Sequence, residues 1–355
     1  MEKIYNIFFR VDSNQEIGIG HLYRCISLAN VLHKRGHSCT FLSQDIHPLA
    51  ESKNKNKVFD TIELPSNPLV SSEDISKEIS FIKKICKNNQ LKILIIDSYK
   101  IDSRWEKAAS DFVDLIVVID DLANRNHFAD FIIDHNSGRQ RSDYAKLNIK
   151  NGKVLVGPKY AILNAALKNV RNKTTPRSRI PVRNILINFG GSNLSSFTKN
   201  FIGELKKFLE FEKYNITVLT SQELAIQEDF IDICNSPDIT ILFDLTQSEL
   251  ARLYVESDFC IGAGGVSALE RCLFGLPSAL ICIAENQIHG SLALQRAECA
   301  QVINFTEGEL GFTEILKLLS DHKRLELIST NSMNLVDGKG VERIINKIFT
   351  NASIN

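Results

Sequence analysis

The stretch IYNIFFRVDSNQEIGIGHLYRCISLANVLHKR, residues 4–35, changes its hydrophobic period part-way along. Residues 4–11 are a short apolar run, the pattern of a strand buried on both faces. From there Leu22, Cys25, Ile26, Leu28, Ala29 and Leu32 recur at helical spacing. Gly18 and Gly20 lie on the loop between the two patterns. A buried strand, a glycine loop and a helix predict the opening unit of a parallel, doubly wound α/β sheet.

Outward from this unit the alternation continues. Strands are predicted at 38–42, 93–97, 115–120 and 131–134, with amphipathic helices at 21–35, 72–89 and 102–112. The stretch 169–184, NVRNKTTPRSRIPVRN, breaks the pattern with two prolines, many Lys and Arg residues and little apolar content. After it, strands are predicted at 184–189, 216–220, 239–243, 259–261 and 278–283. A chain of 355 residues is too long for one ordinary core and comfortable for two. The expected fold is α/β, with two Rossmann-like doubly wound domains facing a cleft. Residues 1–170 form the first domain, 171–183 a linker and 184–355 the second. Ligands of such sheets bind beyond the carboxyl ends of the strands, so the chemistry is sought there.

Composition excludes several classes of function. Lys+Arg and Asp+Glu both number 42, so the formal net charge is +0 and there is no basic excess for nucleic acid. The N-terminal residues show no signal-peptide h-region, and no run of about 18 apolar residues occurs. A cytoplasmic enzyme without membrane insertion is the expectation. The eight cysteines are scattered without a C-x-x-C pair, as small buried hydrophobes in a reducing compartment would be. The eight histidines show no H-E-x-x-H or paired spacing, so neither a metal nor a cofactor is expected.

Two constellations stand at predicted strand ends. The first runs from Asp12 through Gly18 and Gly20 to His21 and Arg24. Glycines before a helix let a ligand approach the backbone, where free N–H groups attract anions. His21 falls in the first helical turn, whose positive end disfavours imidazolium, so a neutral imidazole able to accept a proton from water is expected. Asp12 is placed to orient that imidazole or to hydrogen-bond a sugar. Arg24 is either a phosphate ligand or a helix charge with a salt-bridge partner.

The second constellation is Gly262-Ala263-Gly264-Gly265-Val266-Ser267-Ala268-Leu269-Glu270, a strand end, glycine turn and helix start. Gly264 and Gly265 admit a phosphate group, and backbone N–H groups with Ser267 bind it. Glu270, one turn on, is placed to accept from ribose hydroxyls. The polar cluster Ala284-Glu285-Asn286-Gln287 follows the next strand, and Gly190-Gly191-Ser192-Asn193 is a third loop of the same type. The turn lacks the Walker lysine and the G-x-G-x-x-G form, which disfavours an ATPase or a dinucleotide enzyme.

In matching order over most of the chain, these residues resemble the UDP-sugar hydrolases of pseudaminic acid biosynthesis, which act on UDP-2,4-diacetamido-2,4,6-trideoxy-β-L-altropyranose. The resemblance is carried by Phe9-Arg10-Val11-Asp12, Ile17-Gly18-Ile19-Gly20-His21, Arg24-Cys25, Ile96-Asp97-Ser98-Tyr99 and Ile119-Asp120-Asp121-Leu122-Ala123-Asn124-Arg125. It continues with Gly157-Pro158-Lys159-Tyr160-Ala161-Ile162-Leu163, Phe189-Gly190-Gly191-Ser192, Gly262-Ala263-Gly264-Gly265, Glu270-Arg271-Cys272, Gly275-Leu276-Pro277-Ser278 and Ala284-Glu285-Asn286-Gln287. It implies a GT-B-like fold, a small-molecule UDP-sugar substrate and His21 as catalytic base. It also implies that Gly264, Gly265, Glu270 and Asn286 belong to the UDP side and that Tyr99 lies near the sugar. The chain departs from the family at Asn164-Ala165-Ala166, at Asn193 and at Val266-Ser267-Ala268-Leu269. A glycosyltransferase on the same fold, with a hydroxyl acceptor in place of water, is the alternative.

Overall fold

The computed structural model describes residues 4–13, 20–45, 58–65, 69, 71–86, 91–148, 150, 152–171, 174–177, 181–190, 194–304 and 309–352. The chain divides into two compact units. The first comprises residues 1–135, 139–162 and 339–355, and the second residues 136–138 and 163–338.

The first unit is built on a seven-stranded parallel sheet. Its strands are β1 (Tyr5–Val11), β2 (Ser38–Ser43), β3 (Asp60–Glu63), β4 (Leu91–Asp97), β5 (Leu115–Ile119), β6 (Phe131–Asp134) and β7 (Lys153–Val156), in the order β3-β2-β1-β4-β5-β6-β7. Alternate residues of each strand feed opposite faces. Ile7, Phe9 and Val11 of β1 join one buried cluster with Leu22, Cys25 and Leu32 of the helix Gly20–Lys34, whereas Phe8 joins another with Ile82 and Trp105. Burial on both faces explains the continuous apolar runs.

The second unit repeats the design with six parallel strands. These are β8 (Asn184–Asn188), β9 (Asn215–Leu219), β10 (Ile239–Leu242), β11 (Phe259–Ala263), β12 (Ser278–Ile281) and β13 (Gln301–Ile303), in the order β10-β9-β8-β11-β12-β13. Both sheets are doubly wound, as expected from the sequence. The strand order reverses between β1 and β4 in one and between β8 and β11 in the other, which is where such sheets bind ligands.

Three strands escaped the sequence reading: β3, β7 and β13. Each is an edge or near-edge strand of three or four residues, and β3 is largely exposed, so none carries a long apolar run. The chain's end also differs from the expected division. The helix Gly340–Ala352 sends Val341, Ile344, Ile345 and Ile348 into the first unit's core, not the second's. Its amphipathic pattern shows that a face is buried but not which sheet buries it. The expected linker is likewise partly built in. Arg177 donates from Nη1 to the Phe274 carbonyl and from its backbone N–H to Ser329 Oγ, inside the second unit.

All eight cysteines are free; seven are buried and Cys282 is half-buried. Among the described residues no helix is long and apolar enough to cross a membrane.

Candidate functional site

The helix Gly20–Lys34 starts beyond the carboxyl end of β1, and β4 ends beside β1, with Val11 opposite Asp97 in the register. This pairing delivers Asp97 to the helix's first turn. His21 Nδ1 lies 2.5 Å from Asp97 Oδ1. Arg24 clamps the same carboxylate, with Nε 2.6 Å from Oδ2 and Nη2 2.6 Å from Oδ1. Its remaining nitrogen, Nη1, reaches both oxygens of Asp121 at 2.9 Å. Tyr99 completes the group: its hydroxyl donates to Asp121 Oδ2 at 2.9 Å, and its ring meets that of His21 edge-on at 4.7 Å.

The electrostatics fix the proton positions. Burial alone would raise the Asp97 carboxyl, but Arg24 and His21 outweigh it and hold the group well below the usual carboxylate range. Asp121 is also lowered: burial would raise it, but Arg24, joined by His135 and His21, outweighs that. Burial and then Asp121 push Tyr99 up, so its hydroxyl stays a donor. Facing an ionised carboxylate, Nδ1 of His21 must carry a hydrogen, so in the neutral tautomer the unshared pair sits on Nε2. A histidine oriented from behind by a carboxylate is the arrangement of a general base.

His21 and Tyr99, both sequence candidates, are thus brought together, whereas Asp12 is engaged elsewhere. Its Oδ1 accepts from Arg10 Nη1 at 2.6 Å, Gln44 N at 2.8 Å and Ser43 Oγ at 3.2 Å. Arg10, fully buried, also pairs with Glu78, which accepts from Trp105 Nε1. Asp97, not Asp12, orients the imidazole. Gly20 is the first residue of the helix, and Gly18 lies outside the described residues. Of the adjacent carboxylates, Asp120 is fully buried and bound by Arg125, Tyr144 and the Ala123 N–H, a scaffold role, while Asp121 faces Arg24 and Tyr99. Asp97 had a signal in the sequence, a carboxylate closing an apolar strand, but its partner was not legible there.

In the second unit, β11 runs through Gly264 and Gly265 into the helix Val266–Leu273. Gly265 has φ 80° and ψ −153°, a conformation open essentially to glycine alone, and a Cβ there would meet open space. Gly264 is required for a different reason: its Cβ would run into Ser291 Oγ of the helix Glu285–Arg296. Gly265, Asn286 and Gln287 line one small pocket together with Leu269, Asn136 and Ser137. Asn136 and Ser137, polar residues just past the end of β6, were not singled out in the sequence. Ser267 Oγ lies 3.4 Å from the Gly264 carbonyl, and Gln287 Oε1 accepts from Ile283 N at 3.2 Å. Glu270 accepts from Tyr254 at 3.1 Å, and burial pushes its carboxyl up to about 7. The loop at Asn193 is outside the described residues.

Known proteins resemble this chain at modest identity. No family model matches it. It is 25% identical over 284 residues, 79% of its length and 93% of the relative's, to the UDP-2,4-diacetamido-2,4,6-trideoxy-beta-L-altropyranose hydrolase of Campylobacter jejuni. It is 24% identical over 341 residues, 94% of each chain, to the spore coat polysaccharide biosynthesis protein SpsG of Bacillus subtilis. An uncharacterized protein of Methanocaldococcus jannaschii is 25% identical over 78% of this chain, which spans only 55% of that relative's length. Among solved structures, Acinetobacter baumannii MurG has a TM-score of 0.67 at 13% identity, covering 97% of this chain and 99% of its own. A UDP-N-acetylglucosamine 2-epimerase has 0.65 at 13%, covering 100% and 98%. The resemblance read from the motifs is therefore found independently, and the fold is the two-Rossmann, GT-B type.

Proposed function

We propose that the chain is an enzyme acting on UDP-activated sugars, and that its reaction is hydrolysis of UDP-2,4-diacetamido-2,4,6-trideoxy-β-L-altropyranose to UDP and the free sugar. The observation that carries this reading is the His21–Asp97 pair, a histidine with its Nδ1 committed to a carboxylate and its Nε2 left to accept a proton. In the proposed step Nε2 takes a proton from water as the water oxygen bonds to the anomeric carbon. The bond from that carbon to the β-phosphate oxygen breaks with inversion, and the electron pair leaves with UDP. A nucleoside diphosphate is a good leaving group, so no second carboxylic acid is needed to protonate it, unlike in ordinary glycosidases.

Gly264, Gly265 and Ser267 would hold the diphosphate through backbone N–H groups and a hydroxyl, Glu270 the ribose, and Asn286 and Gln287 the rest of the nucleotide. Tyr99, with Gly18, Gly20 and Asp12, would border the sugar. The Campylobacter jejuni relative carries this activity in its name, and the Bacillus subtilis relative is named for polysaccharide biosynthesis.

The test is turnover of that UDP-sugar in oxygen-18 water with EDTA and no acceptor. Label in the free sugar and none in UDP is the expected result. Label in UDP would place the attack at phosphorus and remove the base from its proposed role. UDP release that begins only when a sugar or lipid acceptor is added would make the chain a glycosyltransferase.

A further inference from the structure

β6 delivers one more side chain to the carboxyl end of the first sheet. His135 follows Asp134 directly, is 1% exposed, and has no hydrogen-bond partner at Nδ1 or Nε2 among the described residues. Its surroundings are the catalytic cluster: Arg24, Asp121, Asp97 and His21 all lie close enough to act on its charge. Burial, and then Arg24, push its imidazole down to about 4, so at pH 7 the ring is neutral, with one N–H and one unshared pair. The cluster itself offers it little, because Arg24 already serves Asp97 and Asp121, and His21 serves Asp97. Buried polar atoms are almost always paired, and two unmatched atoms on one ring beside a reactive histidine call for a ligand that supplies the partners.

We propose that His135 binds the sugar part of the substrate, donating from one ring nitrogen to an acetamido carbonyl and accepting at the other from an N–H or O–H of the same sugar. This rests on the UDP-sugar reading above. A neutral imidazole gives an anion only one hydrogen and turns its unshared pair against the charge, so the group recognised is neutral and not a phosphate. Because the ring is sealed in the free chain, it turns toward the sugar on binding.

The experiment compares His135→Leu and His135→Asn with the wild type. Leucine removes two unpaired polar atoms and no hydrogen bond, so the melting temperature stays level or rises. KM for the diacetamido UDP-sugar rises at least about tenfold, the loss of ordinary hydrogen bonds, with kcat changing little and UDP affinity not at all. Asparagine keeps a donor and an acceptor and restores most of the loss. A fall in melting temperature with KM unchanged would show a structural role and overturn the assignment. Should the wild type hydrolyse no UDP-sugar, the hydrolase reading fails by itself, and His135 is judged by calorimetry. The wild type then prefers UDP-N-acetylglucosamine to UDP-glucose and the leucine variant loses that preference. A preference absent from the wild type, or kept by the leucine variant, would overturn it.

Discussion

At the carboxyl end of the first sheet the candidate groups are side chains, and at the carboxyl end of the second they are mostly backbone. After β1 the helix presents His21 and Arg24, held by Asp97 and Asp121 in a buried ion network. After β11 the turn presents Gly264 and Gly265, one placed there by crowding and the other by its φ, with bare space above the helix start. The first arrangement can move a proton, because it contains a base and a group that orients it. The second can hold an anion without itself being charged, because helix N-terminal amides supply the field. One fold thus gives chemistry or binding according to the residues placed just after the strand, and each side of that contrast can be broken separately.

The largest effect belongs to the first turn. His21→Asn lowers kcat at least about 100-fold while calorimetric UDP affinity stays within about twofold. Equal loss of both would erase the division between the turns. Asp97→Asn gives a kcat loss of the same order and also destabilises the fold by about 3–5 kcal/mol, because Arg24 keeps its buried charge and loses a partner. The sign of its pH dependence is set by the lowered Asp97 carboxyl. Its stabilisation is present above the usual carboxylate range and is lost as pH falls towards the folded-state value. Thermal melts of the Asp97→Asn variant should therefore lack part of the wild type's acid sensitivity.

The next effect tests the second turn. Alanine at Gly265 opposes a conformation costing about 2 kcal/mol, so UDP affinity falls about 30-fold while kcat at saturation holds. A kcat collapse in Gly265→Ala would mean that the turn does more than bind.

The smallest effect is a pH dependence at Glu270, whose carboxyl is raised to about 7. The folded chain then binds that proton more tightly than the unfolded one, so this group's contribution to stability is full at low pH and falls as pH rises through the window from the usual value to about 7. Ribose hydroxyls favour the ionised form, so uridine affinity rises up to about tenfold between about pH 6 and 8. Uridine is the ligand to use because it carries no phosphate ionisation of its own. Glu270→Gln flattens both curves, and a wild-type affinity that does not change with pH would remove Glu270 from the ribose.

Much of this was legible in the chain. The apolar runs at 93–97, 115–120 and 131–134 marked β4, β5 and β6 to within two residues at either end, because strands buried on both faces carry their burial in their composition. β3 and β13 did not show, since a short edge strand buries too little to leave a pattern. His21 and Gly265 stood out as candidates because a turn's demands are written in neighbouring residues. His135 was passed over because a lone histidine after a strand looks like any other until its missing partners can be counted.

The sequence by itself therefore determined the two doubly wound sheets, the glycine turn and the candidate base, all of which depend on residues within about one turn or strand of each other. Only the tertiary structure decided that Asp97 and not Asp12 orients His21, that Arg24 is spent on two carboxylates, and that the helix Gly340–Ala352 closes the first unit. The reason is separation along the chain: His21 and Asp97 are 76 residues apart, and nothing local to either encodes the parallel pairing of β1 with β4 that sets Val11 opposite Asp97.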